Sequence, residues 1–131
     1  MEKAIEHAGI TKESVDYINT HGTSTGMGDP IETNAIAELF SEHAGEMAVT
    51  STKGATGHMM GAGGITEAIT CIQCIRTGIV PPTLNLDELD EKCASLNYVP
   101  HKAIEKEVRV AMSNSFGFGG QNSSVIFCRY E

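Results

Sequence analysis

Three short apolar runs, at residues 15–19, 47–50 and 108–112, each lead straight into a polar loop, and all three loops are rich in glycine. Runs this short, bounded by turn residues, read as buried strands rather than helices. Helical patterns stand between them. Residues 2–8 read as a helix closed by Gly9. Asp29-Pro30-Ile31-Glu32 has the signature of a helix start, with Asp29 as cap, Pro30 at the first helical position and Glu32 reaching back as in a capping box. Ile31, Ala35, Ile36, Leu39 and Phe40 then keep a helical period, and Gly45 ends it. A third helix is expected from about Gly61 to Arg76, with Ile65, Ala68, Ile69, Ile72 and Ile75 as its apolar face and Gly78 as its stop. Residues 79–106 read as irregular, apart from a rigid turn at Pro81-Pro82 and a short helical turn near residues 87–91. A fourth strand at residues 124–127 follows the last glycine-rich stretch, which suits a tight, hairpin-like turn. The order α, β, loop, α, β, loop, α, long loop, β, loop, β predicts one α/β domain over residues 1–131, a mixed sheet with helices packed on it.

Composition narrows the function classes. Hydrophobic residues make up 40% of the 131, but aromatic residues only 5% and Trp is absent, so the core is expected to be aliphatic. A net charge of -8 leaves no basic stripe to neutralise phosphates, which argues against nucleic acid as partner. No apolar run approaches the roughly 20 residues that span a bilayer. The first residues lack a basic region followed by an apolar one, so no membrane association is expected and the compartment reads as cytoplasmic. Cys71 and Cys74 have C-x-x-C spacing, yet they lie inside a helical pattern with no second pair or nearby His to complete a zinc set. With Cys93 and Cys128 they read as structural thiols.

Loops at strand ends are where α/β proteins place their chemistry. The first loop is Thr20-His21-Gly22-Thr23-Ser24-Thr25. Gly22, Gly26 and Gly28 let its backbone approach a ligand closely, and Thr23 and Thr25 can hydrogen-bond an amide or carbonyl chain. The second is Ser51-Thr52-Lys53-Gly54-Ala55-Thr56-Gly57-His58. An ammonium at Lys53 would disfavour an imidazolium at His58, and a neutral imidazole can donate one N–H to a developing oxyanion. The helix expected after it adds a dipole that favours negative charge. In the third, Phe116-Gly117-Phe118-Gly119-Gly120 sets bulky rings beside glycine hinges, as in a gate over an apolar channel. Each loop alone has a structural alternative: a histidine held by turn hydrogen bonds, an anion-cradling loop around Lys53, core phenylalanines flanking a turn. Together they suit stabilising an oxyanion or enolate on a thioester. No nucleophile with an adjacent base accompanies them.

With these motifs in this order, the chain resembles the C-terminal part of the β-ketoacyl-acyl carrier protein synthases of the elongating type, and the related polyketide ketosynthases. Asp29-Pro30-Ile31-Glu32 and Pro81-Pro82-Thr83-Leu84-Asn85 fit the same family. The resemblance implies the C-terminal half of a thiolase-like fold, made of two related α/β halves and working as a homodimer. It implies chain elongation in which an acyl group passes from carrier protein to a Cys, and malonyl-carrier protein is decarboxylated to the carbanion that attacks it. His21 and His58 would stabilise the enolate, and Lys53 would tune and orient the pair. Thr23 and Thr25 would bind the phosphopantetheine arm that arrives on the carrier protein. Phe116 would sit near the decarboxylation centre, and Phe118 would be the gate of the mobile loop that contains Gly119. No cofactor is implied beyond a structural monovalent cation seen in parts of the family, at the positions of Asn19, Glu67, Ser113 and Asn114.

The departure is as informative. The family enzyme is much longer, and its nucleophilic Cys lies in an N-terminal half that matches nothing here. The same half supplies most of the dimer interface and of the basic docking surface for the acidic carrier protein, which agrees with the acidic charge of this chain. The chain thus reads as a fragment or a split-gene product, inactive in condensation by itself, with an apolar face left for the absent half. The alternatives are a non-catalytic partner subunit, a polyketide ketosynthase half, and a malonyl-thioester decarboxylase without condensation.

Overall fold

The computed structural model describes residues 1–130; Glu131, the last residue of the expected domain, lies outside the described residues. Ten elements follow one another: α1 (Glu2–Ala8), β1 (Tyr17–Asn19), α2 (Gly28–Phe40), β2 (Ala48–Thr50), α3 (Lys53–Thr56), α4 (Gly63–Thr77), β3 (Ile79–Val80), β4 (Ile104–Glu105), β5 (Val110–Gly117) and β6 (Gln121–Cys128). The main sheet has the order β2-β1-β5-β6, with β1 parallel to both β2 and β5, and β6 antiparallel to β5. Strand alternation sends successive side chains to opposite faces. Ile18, Val49 and Met112 therefore meet Ile5 of α1 and Ile36 and Phe40 of α2 on one face, while Tyr17, Ala48 and Ala111 meet Cys71 and Cys74 of α4 on the other. The result is a three-layer α/β arrangement with a mixed sheet, as expected from the order of elements. The core is mainly aliphatic, and Tyr17 and Phe40 are its largest fully buried side chains. Burying a side chain such as Phe40 or Ile36 contributes about 1.5–3 kcal/mol.

Several boundaries follow local chemistry. Gly9 and Gly78 close α1 and α4 in the left-handed region, at φ 66° and 68°. A 3₁₀ turn at Lys12–Ser14 is closed by the Val15 N–H, which donates to the Lys12 carbonyl, and β1 begins at Tyr17. Another, Met60–Ala62, delays α4 to Gly63. α2 ends at Phe40 and only a 3₁₀ turn, Ser41–Gly45, reaches the expected stop. Among the described residues, no helix is long and apolar enough to cross a membrane.

Several expectations are corrected. Most of the apolar face read for the third helix is outward: Ile65, Ile69 and Ile72 are 63%, 51% and 40% exposed, while Ile75 packs against the core and Gly63, Glu67, Cys71 and Cys74 turn inward. Small thiols let α4 approach the sheet closely, and the inward carboxylate is matched by a lysine described below. No helical turn forms near residues 87–91. Residues 83–100 instead form a strap along the open edge of β2, where the Val49 N–H donates to the Asn97 carbonyl at 2.9 Å. The two-residue ladder of β3 with β4 was also unexpected, too short to show a period. Finally, β5 runs on through Phe116 and Gly117, so the turn shrinks to residues 118–120. Its polar residues Ser113, Asn114 and Ser115 obscured the strand in the sequence.

Candidate active site

The three loops converge beyond the carboxyl ends of β1 and β2 and the distal end of β5. The rings of His21 and His58 meet edge to face, with centroids 5.5 Å apart and planes at 85°. Phe116 lies against His21, at 5.6 Å and 49°. One strand end and two turns, far apart in sequence, thus build one cluster.

The His21 turn is held from behind. Glu32, 2% exposed, accepts the His21 N–H on Oε1 and the Gly22 N–H on Oε2, each at 3.0 Å. Its Oε1 also accepts from Asn114 Nδ2 at 3.0 Å. Burial pushes the Glu32 carboxyl above its ordinary range, against the opposing pull of these donors. This corrects the capping-box expectation: Glu32 serves the loop before the helix, not the helix end. The Gly28 N–H at the start of α2 donates to Thr25 Oγ1 at 3.0 Å, and Asp29 Oδ1 accepts from the Ser24 N–H at 3.1 Å. Glu32 was missed as a site residue, although Glu32, Ile36 and Phe40 stand four apart on one buried stripe. An acid in phase with the core was the available signal.

Lys53 opens α3, and its side chain is 9% exposed. Its ammonium forms an ion pair with Glu67 of α4, itself 4% exposed, and Ser115 Oγ donates to the second Glu67 oxygen at 3.5 Å. A buried pair of this kind is tolerated only when both charges are matched. The Met60 N–H donates to His58 Nδ1 at 3.3 Å. That bond fixes the neutral tautomer: Nδ1 is an acceptor, so the proton is on Nε2 and is available to a ligand. At His21, burial lowers the imidazole pKa, and the Lys53 ammonium lowers it further. His21 is therefore neutral at pH 7 and also has an N–H to give.

The remaining expected site residues are distributed as follows. Thr23 is half-buried; Thr25 is exposed and keeps its hydroxyl proton free, since it accepts from Gly28. Phe118 is fully exposed at the tip of the β5–β6 hairpin, and Gly119 beside it has φ 84°. The four cation positions do not form one shell of side chains. Asn19 and Ser113 are register partners on the α4 face, and Asn19 Oδ1 is buried without a hydrogen-bond partner. Asn114 points to the opposite face, where Glu32 and Ser124 hold it, and Glu67 already carries the Lys53 ammonium.

None of the cysteines is an evident nucleophile. Burial pushes the Cys71 thiol up to about 12 and the Cys74 thiol up to about 11, so both are protonated at pH 7. Cys93 is half-buried and Cys128 is exposed on β6.

Comparison with known proteins agrees with this geometry. The family described as "Beta-ketoacyl synthase, C-terminal domain" matches residues 1–87. The 3-oxoacyl-[acyl-carrier-protein] synthase 2 of Coxiella burnetii is 48% identical over 129 residues, covering 98% of this chain and 31% of that protein. A β-ketoacyl synthase from Burkholderia phymatum superposes with a TM-score of 0.94 at 40% identity, over 100% of this chain and 31% of that one. A ketosynthase solved in complex with its type II polyketide acyl-carrier protein superposes at 0.95 with 31% identity, over 99% of this chain and 32% of that one. The chain thus spans about a third of the length of each of these proteins, within the thiolase-like α/β fold they share. From the family match, the identity to its synthases and the superposition, the chain belongs to the β-ketoacyl synthase family and corresponds to its C-terminal domain.

Proposed function

We propose that this chain supplies the decarboxylation site for elongation of acyl chains by decarboxylative Claisen condensation. The observation that carries the reading is the histidine pair: two rings in edge-to-face contact, with Nδ1 of His58 accepting a backbone N–H so that its ring proton stands on Nε2. A malonyl thioester bound there loses its carboxylate as carbon dioxide when the Cα–carboxyl bond breaks. The bond's electron pair enters the thioester carbonyl, and the enolate oxygen takes N–H donors from His58 and His21. Pre-aimed donors at the site of developing charge are the effective form of such catalysis, because nothing has to reorganise. The α-carbon then uses that pair to attack an acyl thioester carbonyl, a new C–C bond forms, and the thiolate leaves. Lys53, paired with Glu67, helps to keep His21 neutral and anchors the loop that ends at His58.

The acyl-carrying thiolate belongs to a further segment, because the buried Cys71 and Cys74 are protonated and distant in role from the histidines. The outward stripe of Ile65, Ile69 and Ile72 supports α4 as the face that this segment covers, with homodimerisation through the larger assembly. The relatives' name and the carrier-protein complex support acyl-carrier-protein thioesters as substrates, with Thr23, Thr25, Phe116 and Phe118 along the path of the pantetheine arm.

The test is complementation. The chain is combined with the segment that bears the nucleophile, and condensation of malonyl- with acyl-carrier protein is followed. Activity is expected only in the mixture and is lost in His58→Ala. Unchanged activity in His58→Ala would overturn the reading and leave a non-catalytic partner role.

A further inference from the structure

Ser51 joins the two histidine loops directly. It lies between the end of β2 and the start of α3, and its hydroxyl donates to the Gly22 carbonyl at 2.7 Å. The same oxygen accepts from the Lys53 N–H at 3.4 Å. Its own N–H donates to Thr83 Oγ1 at 3.3 Å, and that hydroxyl donates to the Tyr98 carbonyl at 2.8 Å, which ties Ser51 to the strap. The contact with Gly22 is close as well as polar. A Cβ at Gly22 would lie 2.7 Å from Ser51 Cβ, and Gly22 has φ 38°. Gly22 is therefore gripped at both ends, its N–H by Glu32 and its carbonyl by Ser51.

This arrangement has a geometric consequence. His21 immediately precedes the gripped residue, and His58 follows Lys53 by one turn of helix and a glycine. One hydroxyl thus bonds the chain next to each imidazole's carrier loop. Glu32 holds the N–H groups of His21 and Gly22 but not the peptide that follows; the Ser51 bond at the Gly22 carbonyl fixes that plane too.

We propose that Ser51 is a positioning residue whose hydroxyl sets the placement of His21 against His58. It rests on the reading of the two histidines as the enolate site. A displacement of one donor by about 1 Å costs on the order of 100-fold in rate when geometry is the source of catalysis.

The test uses the whole 131-residue chain and NMR of its histidine rings, with Tyr98→Phe as control. Tyr98 OH donates to the Ala94 carbonyl at 2.6 Å, so the control also loses one side-chain hydrogen bond, but in the strap. In Ser51→Ala the His21–His58 inter-ring Overhauser contacts are expected to weaken, and the His21 titration midpoint to rise toward the ordinary imidazole value. Tyr98→Phe should leave both unchanged. Ser51→Cys, a side chain of similar size and a weaker donor, should fall between wild type and Ser51→Ala. Condensation by the complemented enzyme should lose about 10- to 100-fold in kcat with Ser51→Ala, with KM within about twofold. Unchanged ring contacts and titration in Ser51→Ala would overturn the proposal, as would an equal change in Tyr98→Phe. If the rings move in Ser51→Ala but His21→Ala and His58→Ala leave condensation intact, the enolate reading fails while the placement by Ser51 stands.

Discussion

Replacing Glu32 is the sharpest test of how the His21 turn is held. Its carboxylate takes three donors at 3.0 Å: the N–H groups of His21 and Gly22, and Asn114 Nδ2. Glu32→Ala removes all three acceptor contacts in a place 2% exposed, where water cannot substitute without the turn opening. A hydrogen bond to a charged group contributes about 1.5–3 kcal/mol, and the three share one carboxylate, so their loss is not additive; a total of about 3–5 kcal/mol is expected. For a chain of this size that lowers Tm by roughly 10–20 °C. Glu32→Gln is milder. Its Oε1 can keep His21 and Asn114, but its NH2 then faces the Gly22 N–H, donor against donor, for about 1.5–3 kcal/mol. The two variants also report on charge. Burial holds the Glu32 carboxyl above its ordinary value, so the folded chain binds that proton more readily than the unfolded chain. Stability from this group is therefore fully present below the unfolded value and declines as pH rises through the folded one. The difference between wild type and Glu32→Gln, in which other titrating groups cancel, should move in favour of wild type as pH is lowered through that range. Urea unfolding across pH measures both effects. A loss below about 1 kcal/mol in Glu32→Ala would refute the clamp, and a difference that shrinks on acidification would show that the donors outweigh burial.

Three further outcomes follow from the same geometry. Lys53→Met strands the Glu67 carboxylate in the core and should cost about 3–5 kcal/mol, much of it recovered in Lys53→Met/Glu67→Gln, as urea unfolding of the double-mutant cycle would show. The single variant should also raise the His21 pKa in an NMR titration, since the Lys53 ammonium lowers it. Gly22→Ala places a Cβ 2.5 Å from Thr20 Oγ1 at φ 38° and should destabilise by about 1–3 kcal/mol or more, whereas Gly9→Ala, with open space around it, should cost about 1 kcal/mol. In native alkylation followed by mass spectrometry, Cys128 should react first and Cys93 more slowly, while Cys71 and Cys74 react only after unfolding.

Much of the site was legible because each piece is local. The apolar runs before His21 and Lys53 became β1 and β2, and their parallel pairing puts both loops at the same end. The run before Asn114 became β5, in register with β1, which brings Phe116 to His21. What escaped was what long-range contact decides. Glu32 looked like a cap because its local pattern allows one; only the turn it meets, ten residues back, reveals its use. The isoleucines of α4 looked like a core face because periodicity identifies an apolar stripe without saying what covers it. Glu67, expected among the cation positions, faces the sheet from the other side of α4 and carries the ammonium of Lys53, fourteen positions earlier. Ser51 opens the second glycine-rich loop, but nothing local marks its bond to Gly22, since a serine in a loop is ordinary.

The alternation of β5 carries a consequence for how this domain tolerates change. Asn114 sends its amide to Glu32 on one face, and Ser115 sends its hydroxyl to Glu67 on the other. One strand thus serves as the common mount for the acid behind each histidine loop. A single residue inserted before Asn114 would exchange the faces, moving the asparagine into the place of Ser115 at Glu67 and leaving the inserted residue at Glu32, and would unseat both imidazoles at once. Two residues would restore the faces but move the contacts along by about 7 Å. Both histidine loops depend on the one reading frame of β5, and that frame cannot slip.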